Sequence, residues 1–289
     1  MSAAGSTAAE PTPQIRGDLY DFTFGRRHFV VDSAHGARIT RFGLDDANLL
    51  TGPEVDMLNY GSTFWPSPQE RWGWPPVPEL DSEAYEFVEA PAGVSGFQFE
   101  SRTGMRAKVS VSKLIHPQVR EDTVEITYSL TNEDTAQASW APWEITRVPA
   151  SGLSFFPTGE RTVNTALSVV EQGGISWYLH DPSKISGDGQ KFTGDGAEGW
   201  LAHVAGRNLL VKTFTDVPVD AQAPAPEAEI ALYAARGYVE IEPQGPYTAL
   251  MPGASLSWKV RWIVAELPAQ LSAELGNQEL VDLVRKLVR

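Results

Sequence analysis

The sequence predicts an all-β fold, an antiparallel β-sandwich with one C-terminal helix, and three observations carry that prediction. The first is period-two patterning. Met105, Ala107, Val109 and Val111 alternate with Arg106, Lys108, Ser110 and Ser112, and Val124, Ile126, Tyr128 and Leu130 alternate with Glu125, Thr127, Ser129 and Thr131. Leu256, Trp258, Val260, Trp262 and Val264 repeat the pattern against Ser255, Ser257, Lys259 and Arg261. Strands with one packed and one wet face stack as two layers. The second is composition: 25 Gly and 21 Pro beside 9 Trp, 8 Tyr and 12 Phe describe short strands joined by tight turns. The third is a change of period after Pro268, where Leu280, Leu283, Val284 and Leu287 follow helical spacing. Asn277 is placed to cap that helix, and Lys286 and Arg289 suit the negative end of its dipole.

Taken in order, the small, polar, proline-containing residues 1–14 read as a disordered arm. Residues 15–267 read as one β-sandwich domain, and 268–289 as a helical segment packed on it. Leu19 to Phe24 and His28 to Val31 flank a Gly-Arg-Arg turn, and Ala37 to Leu44 runs into the turn Asp45-Asp46-Ala47-Asn48, which makes a meander. The prolines of residues 218–228 lack ladder donors, so this stretch reads as a surface excursion between strands. No fixed-period repeat indicates a propeller or solenoid.

A formal net charge of −14 without a basic stripe argues against nucleic acid as a partner. The chain has no cysteine, which excludes disulfides, thiolate metal sites and thiol nucleophiles. Its five histidines stand apart, without zinc spacing, so neither a metal nor another cofactor is expected. No apolar run approaches the ~18 residues of a membrane span, and the first residues lack signal-peptide features. The expectation is a soluble, cytoplasmic protein, or a periplasmic one if a leader was removed.

Chemistry concentrates in three segments. Phe64 to Asp81 holds Trp65, Trp72 and Trp74 among prolines, with Gln69, Glu70, Arg71 and Glu79 interleaved. Flat indoles suit the C–H faces of a sugar ring and the polar groups suit its hydroxyls, unless the rings merely cap one end of the sandwich. In Ala141 to Arg147, Glu144 and Arg147 are charges in apolar company, where a carboxylate is either paired with arginine or poised with a raised pKa. In Gly237 to Pro246, Tyr238, Glu240 and Glu242 share one strand face with the carboxylates about 7 Å apart, which fits either acid-base work or a charged edge strand. His180 ends the aromatic strand Trp177-Tyr178-Leu179, either facing a ligand or standing in the turn before Asp181-Pro182.

These segments fall in an order that resembles the galactose mutarotase-like (aldose epimerase-like) superfamily over residues 17 to 266. Gly36 to Phe42 with Asn48-Leu49-Leu50 resembles its opening, Val124 to Asn132 the strand before its sugar-contacting segment, Tyr238 to Pro246 its late Leu-Glu-x-Gln strand, and Leu250 to Trp262 its closing strand. Trp65-Pro66-Ser67-Pro68-Gln69, Trp72-Gly73-Trp74-Pro75-Pro76, Leu80-Asp81-Ser82 and Ala141-Pro142-Trp143 resemble a bacterial branch of it. The resemblance implies the mutarotase supersandwich, a small carbohydrate as ligand, and Glu242 as the base that takes the anomeric hydroxyl proton. It sets Arg71 near the superfamily's sugar-binding arginine. Its catalytic histidine falls at Trp143-Glu144, so Glu144 or His180 takes the acid role, with a carboxylic acid needing a strongly raised pKa.

The expected function is therefore carbohydrate binding in a cleft walled by Trp65, Trp72 and Trp74, with Gln69, Arg71, Glu144, Arg147 and Glu242 as polar contacts. Two enzymatic alternatives stand beside it: an epimerase-type isomerase using Glu242 with Glu144 or His180, and a glycoside hydrolase or lyase using Glu144 with Glu240 or Glu242. The hydrolase requires its two carboxylates on one side of a sheet, facing each other across a bond.

Overall fold

A computed structural model of the chain describes residues 13–90, 94 and 96–289. The arm expected over residues 1–14 lies outside this range except for Pro13 and Gln14, and Gln14 already opens the first strand.

The alternation seen in the sequence becomes twenty strands among the described residues. They are β1 (Gln14–Arg16), β2 (Leu19–Phe24), β3 (Arg27–Asp32), β4 (Arg38–Leu44), β5 (Ser62–Ser67), β6 (Glu86–Val88), β7 (Phe97–Glu100), β8 (Val109–Gln118), β9 (Thr123–Asn132) and β10 (Ala138–Pro149). There follow β11 (Gly152–Thr165), β12 (Val170–Gln172), β13 (Ile175–Leu179), β14 (Gln190–Gly196), β15 (Trp200–Ala205), β16 (Asn208–Phe214), β17 (Ile230–Ala234), β18 (Tyr238–Pro243), β19 (Thr248–Leu250) and β20 (Ser255–Glu266). One helical turn, α1 (Pro78–Asp81), follows β5, and α2 (Gln278–Leu287) closes the chain. No helix among the described residues is long and apolar enough to cross a membrane.

All pairings are antiparallel and they build two layers. The first runs β1-β2-β3-β4-β5-β10-β18-β17-β14-β11. The second runs β6-β7-β8-β9-β20-β16-β15-β11-β13-β12. The long β11 belongs to both: up to Pro157 it pairs in the second sheet, and from Thr158 it pairs with β14 in the first. β19 is added along the first residues of β10.

Between the layers the apolar faces meet. Phe64 of β5 stacks on Tyr128 of β9 with centroids 4.4 Å apart, and Trp262 of β20 meets the edges of Phe29 and Phe42 from β3 and β4. Such aromatic pairs contribute about 0.5–1.5 kcal/mol each beyond their buried area. The second sheet is apolar on its outer face too. Leu153, Phe155, Trp200, Ala202, Leu209 and Val211 form a further core there, covered by Leu280, Val281 and Val284 of α2. The Asn277 side chain caps α2 by accepting the Glu279 N–H, as its position in the sequence predicts.

Two local expectations are corrected. Met105 to Lys108 is a tight turn, closed by a Gly104–Val109 bridge and a positive φ at Lys108, and β8 begins only at Val109. Four alternating letters fit a turn as well as a strand when the chain must reverse there. Residues 218–228 form a loop, as their prolines require, but not a purely surface one: Gln222, Ala223, Glu227 and Ala228 are buried, because the polar side chains find partners underneath.

Candidate functional site

The site grows from the outer face of the first sheet. Residues directly opposite in register point the same way, so Trp65 on β5, Trp143 and Arg147 on β10, Glu240 on β18 and Tyr233 on β17 form one continuous surface. Period two adds Glu242 and Tyr238 from β18, and the Lys191–Tyr233 pairing adds Lys191 from β14. Above this floor lies a cavity of about 680 Å³, lined by Trp65, Gln69, Trp74, Trp143, Lys191, Tyr233, Tyr238 and Glu240, with Asp56, Asn59 and Asp188 at loop positions. That volume lies within the range of about 300–1,000 Å³ usual for small-molecule sites.

Buried polar contacts fix the walls. Trp65 Nε1 donates to Asp81 Oδ1 at 2.7 Å, and Asp81 Oδ2 accepts from the buried Arg38 at 3.2 Å. The Arg38 guanidinium also donates to the Leu58 carbonyl at 2.9 Å, so one arginine ties α1, Trp65 and the loop carrying Asp56 and Asn59 together. Trp72 Nε1 donates to the Pro66 carbonyl, and the Trp72 ring meets Trp65 edge-on from behind. Trp74, 60% exposed, stands edge-on to Trp65 at the mouth. On the opposite side Tyr233 lies against Gly189, where a Cβ would stand 2.2 Å from the ring, and its hydroxyl donates to the Asp188 carbonyl.

The charges are arranged as two pairs. Arg147, buried below Trp65 with its guanidinium 5.3 Å from the ring centroid, donates Nε to Glu240 Oε1 at 2.8 Å and Nη1 to Thr63 Oγ1 at 2.7 Å. Lys191 Nζ stands 4.6 Å from the Trp143 centroid and bonds Glu242 Oε2 at 2.9 Å, an oxygen that also accepts from Trp143 Nε1 at 2.9 Å. Burial pushes the Glu240 carboxyl up to about 7, reinforced by Glu242 and opposed by Arg147 and Lys191. Burial works against the charge on Lys191, but Glu242, Glu227 and Glu240 outweigh it and hold the amine above its ordinary range. Tyr233 and Tyr238 are both raised, by burial first and then by Glu240.

The residues singled out from the sequence separate into groups. Trp65, Gln69 and Trp74 line the cavity, Trp72 backs Trp65, and Arg147 and Glu242 lie in the floor beneath, Glu242 fully buried. Trp65 sits on strand β5. Arg71 points elsewhere, over Trp140 at 4.9 Å beside Arg106 and Lys108. Glu144 has the opposite parity on β10 and points between the sheets, where Tyr128, Trp262 and Lys212 hydrogen-bond to it and Lys212 completes an ion pair. His180 lines a separate cavity of about 420 Å³ and receives or gives a 2.9 Å hydrogen bond at the Tyr178 hydroxyl. Glu144 therefore lies on the face of the first sheet opposite to both Glu240 and Glu242, which argues against the paired-carboxylate hydrolase. β18 is central between β10 and β17, which removes the edge-strand explanation of its charges.

Sequence reasoning missed Lys191, Tyr233, Asp56, Asn59 and Asp188. Lys191, Tyr233 and Asp188 lie far along the chain from the tryptophan-rich segment, and only the register of β14, β17 and β18 brings them to it, whereas Asp56 and Asn59 shortly precede that segment in a loop that Arg38 holds at the cavity. Among the described residues no group of three or more His, Asp or Glu side chains is placed to hold a metal ion.

No protein family and no curated protein matches the sequence. Solved structures do match the fold. A galactose mutarotase-like protein from Lactobacillus casei ATCC 334 is 10% identical over 86% of this chain and 100% of its own, with a TM-score of 0.60. One from Clostridium acetobutylicum is 9% identical over 89% of this chain and 99% of its own, with a TM-score of 0.57. Galactose 1-epimerase from Lactobacillus acidophilus NCFM is 11% identical over 89% of this chain and 98% of its own, with a TM-score of 0.53. Two twisted antiparallel layers sharing β11, with this likeness across nearly nine-tenths of the chain, give the protein the galactose mutarotase-like fold.

Proposed function

We propose that the cleft on the outer face of the first sheet binds a sugar ring. The observation that carries this reading is the convergence of three indoles, Trp65, Trp74 and Trp143, with Gln69, Lys191 and Glu240 around one cavity. The exposed Trp74 can cover the apolar side of a pyranose, with Trp65 and Trp143 as the apolar wall behind it, and the amide, ammonium and carboxylate serve its hydroxyls with directional hydrogen bonds. The solved mutarotase-like structures support the reading by fold, and the residues of this chain supply the chemistry.

Binding without turnover fits the proton inventory best. Opening a hemiacetal needs one group to take the hydroxyl proton and a second to give a proton to the ring oxygen. Glu240, near 7, suits the first task. The other titrating groups raised in the lining, Lys191, Tyr233 and Tyr238, are all held above their ordinary ranges and part with a proton reluctantly near neutrality. The fully buried Glu242, committed to Lys191 and Trp143, is a positioning residue in this account.

Calorimetric titration with neutral hexoses tests the reading. Saturable binding is expected, with Trp74→Ala weakening it about tenfold, as loss of a stacking aromatic of about 1–2 kcal/mol implies. No heat from any sugar, charged or neutral, or an unchanged affinity in Trp74→Ala, contradicts it. Glu240 also favours a second reading, an epimerase-type isomerase, and anomer exchange followed by NMR separates the two: binding alone predicts the uncatalysed rate for wild type and Glu240→Gln alike.

A further inference from the structure

Resting on the sugar-binding reading, we propose that the cleft selects amino sugars, whose ring carries a protonated amine, over neutral sugars, and disfavours sugar phosphates and uronates. The charge pattern leads to this. Three carboxylates, Asp56, Asp188 and Glu240, line the cavity against one ammonium, Lys191, while the floor beneath adds one guanidinium, Arg147, and one carboxylate, Glu242. With Glu240 ionised the set carries a net formal charge of −2, and −1 with it protonated.

Both cations are already committed. Arg147 is spent on Glu240 and Thr63, and Lys191 on Glu242, so no uncommitted cation among the described residues lines the cavity to receive a phosphate or carboxylate. The acids are less occupied. Asp56 Oδ1 takes the Leu58 and Asn59 N–H groups, which orients it, but its second oxygen and the Asp188 carboxylate have no hydrogen-bond or ion-pair partner among the described residues. Glu240 gives Oε1 to Arg147 and keeps Oε2 without a donor among them. Three carboxylates around one cavity, each with an oxygen left without a partner, suit an ammonium, which carries donors and no acceptor.

The aromatic walls act in the same direction. Lys191 over Trp143 and Arg147 over Trp65 show that these rings already hold cations, and the exposed Trp74 offers further cation-π surface to a ligand amine. The formal charge of −14 on the whole chain adds a long-range field that draws in cations and repels anions.

Calorimetry near neutral pH and low salt tests this with glucose, galactose and mannose, each beside its 2-amino-2-deoxy and N-acetylated counterparts, and with glucose 6-phosphate and glucuronate. For every hexose that binds, the amino sugar is expected to bind about fivefold tighter or more, and acetylation, which removes the charge while enlarging the substituent, to abolish the gain. The ratio of amino sugar to hexose affinity falls in Asp188→Asn and Asp56→Asn, and shrinks at about 1 M salt. Amino sugars binding no better than their parents, or an anionic sugar binding better than its parent, overturn the selectivity while leaving the sugar site standing. Silence from every compound overturns the sugar site itself.

Discussion

Glu240 is the residue on which the chemistry of the cleft turns, because its carboxyl is the one in the lining pushed into the neutral range, to about 7. We expect a carboxyl carbon signal titrating near that value in the NMR spectrum of the protein labelled at glutamate, and its loss in Glu240→Gln; a spectrum in which every glutamate titrates in the ordinary range contradicts the assignment. At this scale the sequence was partly legible. Trp65, Gln69 and Trp74 were found because indoles among prolines stand out in any one-dimensional pattern, and Tyr238, Glu240 and Glu242 were set on one face by strand parity alone. Parity also contained the answer for Glu144, one residue from Trp143 and so on the other face of β10, once the direction of Trp143 was known. Lys191 was invisible, since nothing near it in the chain signals that β14 pairs beside Tyr233. A second residue prediction concerns Glu229, fully enclosed and pushed by burial up to about 8 although Val217 and Gly196 donate to it. A carboxyl that ionises more easily unfolded than folded binds its extra proton in the native state, so its contribution to stability is lost as pH rises from its unfolded value through about 8. The stability of Glu229→Gln relative to wild type should therefore climb between those values by up to about 1.4 kcal/mol per pH unit in urea unfolding, and a flat difference argues against a native-state proton there.

Single elements do double duty. β10 presents Trp143 and Arg147 to the cleft and Glu144 to the core, where Lys212 of β16 joins the two sheets through a buried ion pair. Burial lowers the Lys212 amine to about 8 and Glu144 partly restores it. Lys212→Met leaves a buried carboxylate without its cation and should cost about 3–5 kcal/mol in denaturant unfolding, while sugar affinity, measured under conditions where the variant stays folded, is retained. Loss of binding by the folded variant would mean that the two faces of β10 are coupled. β10 also shows why a sequence gives periods more readily than partners: its residues are buried on both faces, so alternation disappears where function and core share a strand.

Across the whole molecule, the sandwich and the C-terminal helix were legible because their signals are local: period two in β8, β9 and β20, and period 3.6 with an asparagine cap in α2. The passage of β11 from one sheet to the other was not, because it depends on which distant strands flank it. α2 covers the apolar outer face of the second sheet, far in the fold from the cleft on the first. Leu280→Ala, at a fully buried position of that cover, should destabilise the protein by about 2–5 kcal/mol; a cost near zero would mean that α2 does not hold that core closed.

The nine tryptophans make the central claim directly measurable, since their indole N–H signals report from every part of the fold. Trp65, Trp74 and Trp143 line the cleft, Trp177 lines the cavity of His180, and Trp200 and Trp262 lie in the two cores. With the signals assigned by single substitutions, titration with a hexose or its amino sugar should shift Trp65, Trp74 and Trp143 in a saturable way and leave Trp177, Trp200 and Trp262 in place. Saturable shifts confined to Trp177, or no shift at Trp74 at saturating ligand, would contradict a sugar site on the outer face of the first sheet.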